Sequence, residues 1–125
     1  ITPIFWALQY WSRRSELSAD RAGAVALGSI ERMVEVQIRL AGGPASITKD
    51  VNIDEFVKQA DYYDTLQDNN WDKFLQNWSI LESSHPYAAI RVREILKWGK
   101  TEQWHRIKLQ QSSRRIMDLL QRVRV

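Results

Sequence analysis

Glu16 and Asp20 lie four positions apart, a spacing at which two carboxylates can take part in binding one metal ion. A helix completes a turn in about 3.6 residues, so both side chains would lie on the same face. The downstream positions on that face are Gly23, Leu27, Ile30, Val34 and Ile38. Because this line is mostly apolar, the spacing predicts that the two carboxylates face the core.

Two like charges facing inward need a positive charge nearby. Carboxylates at i and i+4 repel by a few tenths of a kcal/mol when exposed, and burial raises that cost. A metal ion bound by one carboxylate would supply the charge, with the second orienting another ligand. The alternative is an ion-pair cluster with the neighbouring residues Arg13, Arg14 and Arg21. On spacing alone the ion-pair cluster is the simpler interpretation, because structural networks also gather charges.

The segment around the carboxylates also resembles a family signature. Residues 11–23 read WSRRSELSADRAG, in which Glu16, Ala19 and Asp20 are similar to the ExxAD segment of a zinc metallopeptidase family. That family includes bacterial HtpX and the CAAX prenyl endopeptidases. The resemblance implies that Glu16 is a zinc ligand and that Asp20 orients a zinc-binding histidine.

A second segment carries the same resemblance. Ser84, His85 and Pro86, followed by Arg91, are similar to the family's (S/T)-H-P sequence and its arginine. The resemblance implies that His85 lies near the zinc and helps to stabilise the oxyanion formed during peptide hydrolysis. It also implies that Arg91 anchors this segment, for example by pairing with an acidic group near the site. Without the resemblance, His85 would be interpreted as a turn or helix-capping residue.

The family's HExxH sequence is missing. His85 and His105 are the only histidines, and neither begins that pattern. A catalytic zinc site needs three protein ligands, an open position and a base. The resemblance therefore implies that residues 1–125 are a single helical domain forming the C-terminal portion of a zincin-like domain, whose partner is an upstream HExxH helix. We expect zinc in the full-length protein, little or none in this chain, and no peptidase activity from this chain alone.

For the full-length protein, the resemblance implies a zinc-dependent, membrane-associated endopeptidase that acts on polypeptides. The chain itself has no run of about 18 to 20 apolar residues, so we expect this part to be soluble. It begins with ITPIFWALQYW, followed by Arg13 and Arg14. Such a sequence is typical either of a region just after a membrane segment on the cytoplasmic side or of an amphipathic helix, and both interpretations stay open.

The sequence predicts an all-α fold of about five helices. The first is long, from about residue 3 to 40, carries the ExxAD segment, and has Gly23 and Gly28 as weak points. A polar linker then leads to Asn52. The further helices are expected at about residues 53–65, 70–82 and 86–98 and from Thr101 onward, with the aromatic residues of the 70–82 segment in the core.

Beside the carboxylates runs a second line of small residues: Ser12, Ser15, Ala19, Ala22 and Ala26. Small side chains allow another helix to approach closely. Either the missing HExxH helix or one of the helices of this chain could pack there.

Composition and charge limit the remaining possibilities. The chain lacks cysteine, which excludes a disulfide framework and thiolate chemistry. Residues 97–125 form a basic tail, with 8 Lys and Arg against 2 Asp and Glu, or +6. The rival hypothesis is therefore a non-enzymatic helical binding module, in which the tail, with Trp98 and Trp104, binds nucleic acid or an acidic membrane surface. A basic helix is often only a solvated face, so nucleic acid is not the favoured partner.

Overall fold

A computed structural model describes residues 2–67 and 86–124, which form six helices and no strand. The helices are α1 (Thr2–Leu27), α2 (Ile30–Gly42), α3 (Ala45–Thr48), α4 (Ile53–Gln67), α5 (Pro86–Gly99) and α6 (Glu102–Val123). The all-α prediction is confirmed. The helix predicted over residues 70–82, including its aromatic residues, lies outside the described residues, as do Ser84 and His85.

The long N-terminal helix that carries the ExxAD segment is confirmed. It ends just before Gly28, one of the two glycines identified as weak points, instead of running to about residue 40. α1 ends at Leu27, Gly28 takes a left-handed conformation (φ 67°), and Ser29 caps α2. Glycine adopts that conformation at little cost, and a serine before a helix satisfies a free N–H of its first turn. The change of direction removes Leu27 from the inward line and leaves it 41% exposed, whereas Ile30 and Val34 are buried.

Replacing Ser29 by alanine is expected to lower the free energy of unfolding by about 1 kcal/mol, because its hydroxyl oxygen accepts from the Arg32 N–H at 3.3 Å. The hydroxyl also donates to Glu31 Oε2 at 2.8 Å. The Glu31 backbone N–H and then this hydroxyl lower the pKa of the Glu31 carboxyl, so the hydroxyl's contribution through Glu31 is lost as the pH falls through that lowered pKa. Urea denaturation at neutral and acid pH measures both effects.

Ser18→Ala is the matched control, since the Ser18 hydroxyl donates only to the Arg14 carbonyl within α1. We expect a change within about 0.5 kcal/mol there. An equal effect of the two substitutions would contradict the capping role of Ser29.

The other predicted helix boundaries agree more closely with the structure. Asn52 Oδ1 accepts from the N–H groups of Asp54 and Glu55 at the start of α4. Pro86 opens α5, and the Thr101 side chain caps α6. The segment before Asn52 was expected to be a polar linker, and it also contains the short helix α3, which places Thr48 in a buried position.

α5 lies at the centre of the described fold and packs against α1, α2 and α4. Ala89, Val92 and Ile95 on α5 are fully or almost fully buried. The buried apolar cluster at this centre consists of Ala24, Ile30, Met33, Val34, Ile38, Val92, Ile95, Trp98 and Trp104. This cluster therefore holds α1 and α5, which are far apart in sequence, side by side.

Trp98 and Trp104 belong to this core, with ring centroids 5.2 Å apart. Both are nearly inaccessible to solvent, and Trp98 Nε1 donates to Gln103 Oε1 at 2.8 Å. The part of the rival hypothesis in which these two tryptophans bind nucleic acid or a membrane is therefore wrong. Within residues 2–67 and 86–124, no helix has the length and hydrophobicity of a bilayer-crossing segment.

Candidate functional site

Asp20 is held by Arg91 in a two-point ion pair. Arg91 Nε donates to Asp20 Oδ2 at 2.8 Å, and the guanidinium NH2 group donates to Oδ1 at 2.6 Å. The two residues are 71 positions apart and come from α1 and α5. Asp20 is only 2% exposed, so the prediction that it faces inward is confirmed. The paired geometry fixes both the position and the orientation of the carboxylate.

Gln37 provides a third hydrogen bond to Asp20 and was not identified from the sequence. Its side-chain amide donates to Asp20 Oδ1 at 2.5 Å from α2, and the residue is 2% exposed. Three helices therefore meet at one buried carboxylate. The sequence does contain a signal, because Gln37 is a polar residue in the apolar line of α2 beside Val34 and Ile38. A polar group in such a position needs a buried partner.

Glu16 lies one turn before Asp20 on the same helix and is partly buried, as predicted. Its atom Oε2 is out of contact with solvent and has no hydrogen-bond partner. A carboxylate oxygen in that position is costly unless a cation or a donor is present. Glu16 and Asp20 thus differ, since both oxygens of Asp20 accept hydrogen bonds, whereas Glu16 keeps an oxygen without a partner.

The ion-pair cluster predicted from the neighbouring arginines does not form around Asp20. Its cationic partner is the distant Arg91. Arg21 lies over the Trp98 ring at 5.6 Å, and Arg14 lies over the Tyr10 ring at 5.1 Å. Asp20 is therefore held by a structural ion pair, as in the simpler interpretation, but its partner is a distant arginine instead of a neighbouring one.

The small residues beside the carboxylates are all exposed: Ser12, Ser15, Ala19, Ala22 and Ala26. No described helix of this chain covers them. The apolar residues Ile4, Leu8 and Trp11 at the start of α1 are exposed as well. One face of α1 is thus open along the helix turns that carry Glu16.

A zinc ion fits the Glu16 carboxylate in chemical terms, because carboxylate oxygen is a common zinc ligand and Oε2 has no competing partner. The described residues hold no group of three or more His, Cys, Asp or Glu side chains able to bind a metal. His85 lies outside them. His105 is exposed, with Nδ1 2.7 Å from the Thr101 carbonyl oxygen. The remaining ligands would have to come from outside these residues.

Comparison with known proteins agrees with the resemblance to a metallopeptidase family. The model of peptidase family M48 matches residues 1–99. A curated Arabidopsis thaliana protein, the chloroplastic plastoglobule-localized metallopeptidase 48, is 34% identical over 91 residues. The aligned region is 73% of this chain and 26% of that relative, so the chain spans about a quarter of the relative's length. No solved structure matches.

Proposed function

Because this chain belongs to peptidase family M48, a family of metallopeptidases, we propose that it is part of a zinc endopeptidase of the HtpX and CAAX prenyl endopeptidase type. The proposed substrate is a polypeptide. The observation that carries the proposal is the buried, unpartnered Glu16 oxygen one turn from a carboxylate held by three hydrogen bonds.

In this proposal Glu16 is the metal ligand contributed by the chain. Two histidines and the general-base glutamate come from an HExxH helix upstream. When bound, zinc supplies positive charge that polarises the scissile carbonyl and makes a water molecule easier to deprotonate. The charge would also offset the cost of the buried Glu16 oxygen, which explains why a carboxylate is placed there.

Asp20 is proposed to orient one of the zinc-binding histidines. Arg91 and Gln37 together occupy Oδ1, whereas Oδ2 accepts only from Arg91. A carboxylate oxygen has two lone pairs, so Oδ2 can accept one more N–H. Arg91 and Gln37 are then positioning residues that hold Asp20 in place, and His85 is proposed to donate to the oxyanion.

The upstream helix is proposed to pack on the exposed small residues of α1. Ala19 and Ala22 lie on α1 beside the carboxylates and leave room for a close helix contact. In the absence of that helix the site has one zinc ligand, so this chain alone is proposed to be inactive and to bind zinc weakly or not at all. Membrane association of the full-length protein, with this region on the cytoplasmic side, is also part of the proposal.

Ala22→Leu tests the packing of the upstream helix and the peptidase assignment together. In this chain Ala22 is exposed, so the free energy of unfolding should change by less than about 0.5 kcal/mol. In the full-length protein the larger side chain should separate the two helices and reduce chelator-sensitive cleavage of an unfolded protein substrate about tenfold or more.

Ala45→Leu is the matched control, since Ala45 is exposed at the start of α3. It should leave both measurements unchanged. Full activity of the Ala22→Leu protein would contradict the packing, and a full-length protein without any chelator-sensitive cleavage would contradict the peptidase assignment.

A further inference from the structure

The second half of α6 extends away from the rest of the described fold. Its first half is attached, since Trp104 is buried, Lys108 Nζ donates to the Gly28 carbonyl at 2.6 Å, and Gln111 Nε2 donates to the Val25 carbonyl at 2.8 Å. From residue 112 to 124, every residue is exposed. The whole helix also lies beyond residues 1–99, where the peptidase family model matches.

The second half of α6 carries exposed apolar residues on one side of the helix. We call Ile116, Leu119, Leu120 and Val123, together with Leu109, the outer face. Their exposed fractions range from 56% for Leu120 to 83% for Val123. Spacings of three, four and seven residues place them on one side of a helix. Apolar surfaces of this kind mark interaction sites, because they are costly to leave in water.

The outer face points away from the fold. At about 100° per residue, Trp104 and Gln111 lie roughly opposite Leu109 and Leu120, whereas Lys108 lies next to the edge of the outer face at Leu119. The contacts that attach α6 therefore leave the outer face open.

The charged residues around the outer face indicate which kind of partner it binds. Residues 112–124 contain four arginines and one acidic residue, Asp118. Arg115 and Arg124 lie on opposite flanks of the outer face, where long side chains can reach anionic groups while the apolar residues are buried. An apolar face flanked by basic residues is the pattern of helices that lie in a membrane surface.

Two other occupants fit these charges less well. A second copy of α6 would bring its own arginines close to Arg115 and Arg124, and like charges would repel. A nucleic acid would pair with the arginines but would leave the apolar side chains in water. We therefore propose that the outer face of α6 binds the surface of an anionic lipid bilayer, with the arginines at the level of the head groups.

Vesicle sedimentation tests this proposal with the full chain. Binding is expected to vesicles of mixed phosphatidylcholine and phosphatidylglycerol, to be weaker with pure phosphatidylcholine, and to weaken as salt is added. The double variant Ile116→Ser/Leu120→Ser should lower the partition coefficient at least about tenfold, because it removes two apolar anchors from exposed positions that do not support the fold. Leu40→Ser, at an exposed leucine on α2, is the control and should bind as the wild type does.

Several results would overturn the proposal. One is the absence of binding to anionic vesicles, and another is equal binding by the double variant and the wild type. A dimer in analytical ultracentrifugation that the double variant abolishes, without vesicle binding, would assign the outer face to a second copy. Binding of nucleic acid that the double variant retains, again without vesicle binding, would assign the arginines to that partner instead. None of these outcomes depends on peptide cleavage, so the test is independent of the proposed peptidase activity.

Discussion

Glu16→Gln in the full-length protein is expected to lower kcat/KM for polypeptide cleavage by at least about 1000-fold, a loss of about 4 kcal/mol in transition-state stabilisation. Glutamine keeps the shape of the side chain but replaces the anionic oxygens by a neutral amide, which is a poor zinc ligand. The measurement is the rate of cleavage of an unfolded protein substrate, with and without a zinc chelator.

In the isolated chain, the same substitution is expected not to lower the free energy of unfolding. Oε2 of Glu16 is buried without a hydrogen-bond partner, so neutralising the side chain removes the cost of burying a charged, unpaired oxygen and should leave the free energy of unfolding unchanged or raised. If Glu16 instead formed a structural ion pair, neutralising it would lower the free energy of unfolding. Glu102→Gln, in an exposed pair with Arg106, is the control and should leave the cleavage rate unchanged. A Glu16→Gln enzyme that cleaves at the wild-type rate would contradict the ligand role.

Arg91→Ala is expected to lower the free energy of unfolding of the chain by about 3 to 5 kcal/mol. The substitution leaves the Asp20 carboxylate buried with Gln37 as its remaining partner, and an uncompensated buried charge is among the most costly defects in a fold. Urea denaturation followed by circular dichroism gives the measurement. Gln37→Met, which removes one hydrogen bond to a charged group, should cost about 1.5 to 3 kcal/mol.

Arg106→Ala provides the comparison, because Arg106 and Glu102 form an exposed pair within α6. That substitution should cost less than about 1 kcal/mol. Where Arg91→Ala unfolds the chain entirely, Arg91→Lys should give an intermediate loss, since lysine keeps the charge but not the two-point geometry. Equal effects of Arg91→Ala and Arg106→Ala would show that the buried pair does not hold α1 and α5 together.

Residues that cap or begin helices made much of the fold predictable from the sequence. Asn52, Pro86 and Thr101 mark helix starts that the structure places at the same residues, because capping depends on neighbours a few positions away. Gly28 was identified only as a weak point and not as the end of a helix, because the apolar period of α1 runs on into α2. The signal was the pair Gly28 and Ser29, a residue that permits positive φ followed by a good N-cap.

The site was predictable only in part. Helical spacing predicted that Glu16 and Asp20 share an inward face. It did not predict which groups form hydrogen bonds or ion pairs with the two carboxylates. Arg91 is 71 residues from Asp20, and only the resemblance to a family sequence drew attention to it. Gln37 was missed because the apolar line around it was interpreted as simple core. Long-range partners of buried charges depend on tertiary packing, which residue spacing in one helix does not contain.

The zinc content of the purified full-length protein and of its Glu16→Gln variant tests the role of Glu16 most directly. The proposed site predicts about one zinc per wild-type molecule and a large loss of zinc in the variant, with the fold unchanged by circular dichroism. A Glu16→Gln protein that retains as much zinc as the wild type would contradict the assignment of Glu16 as a ligand.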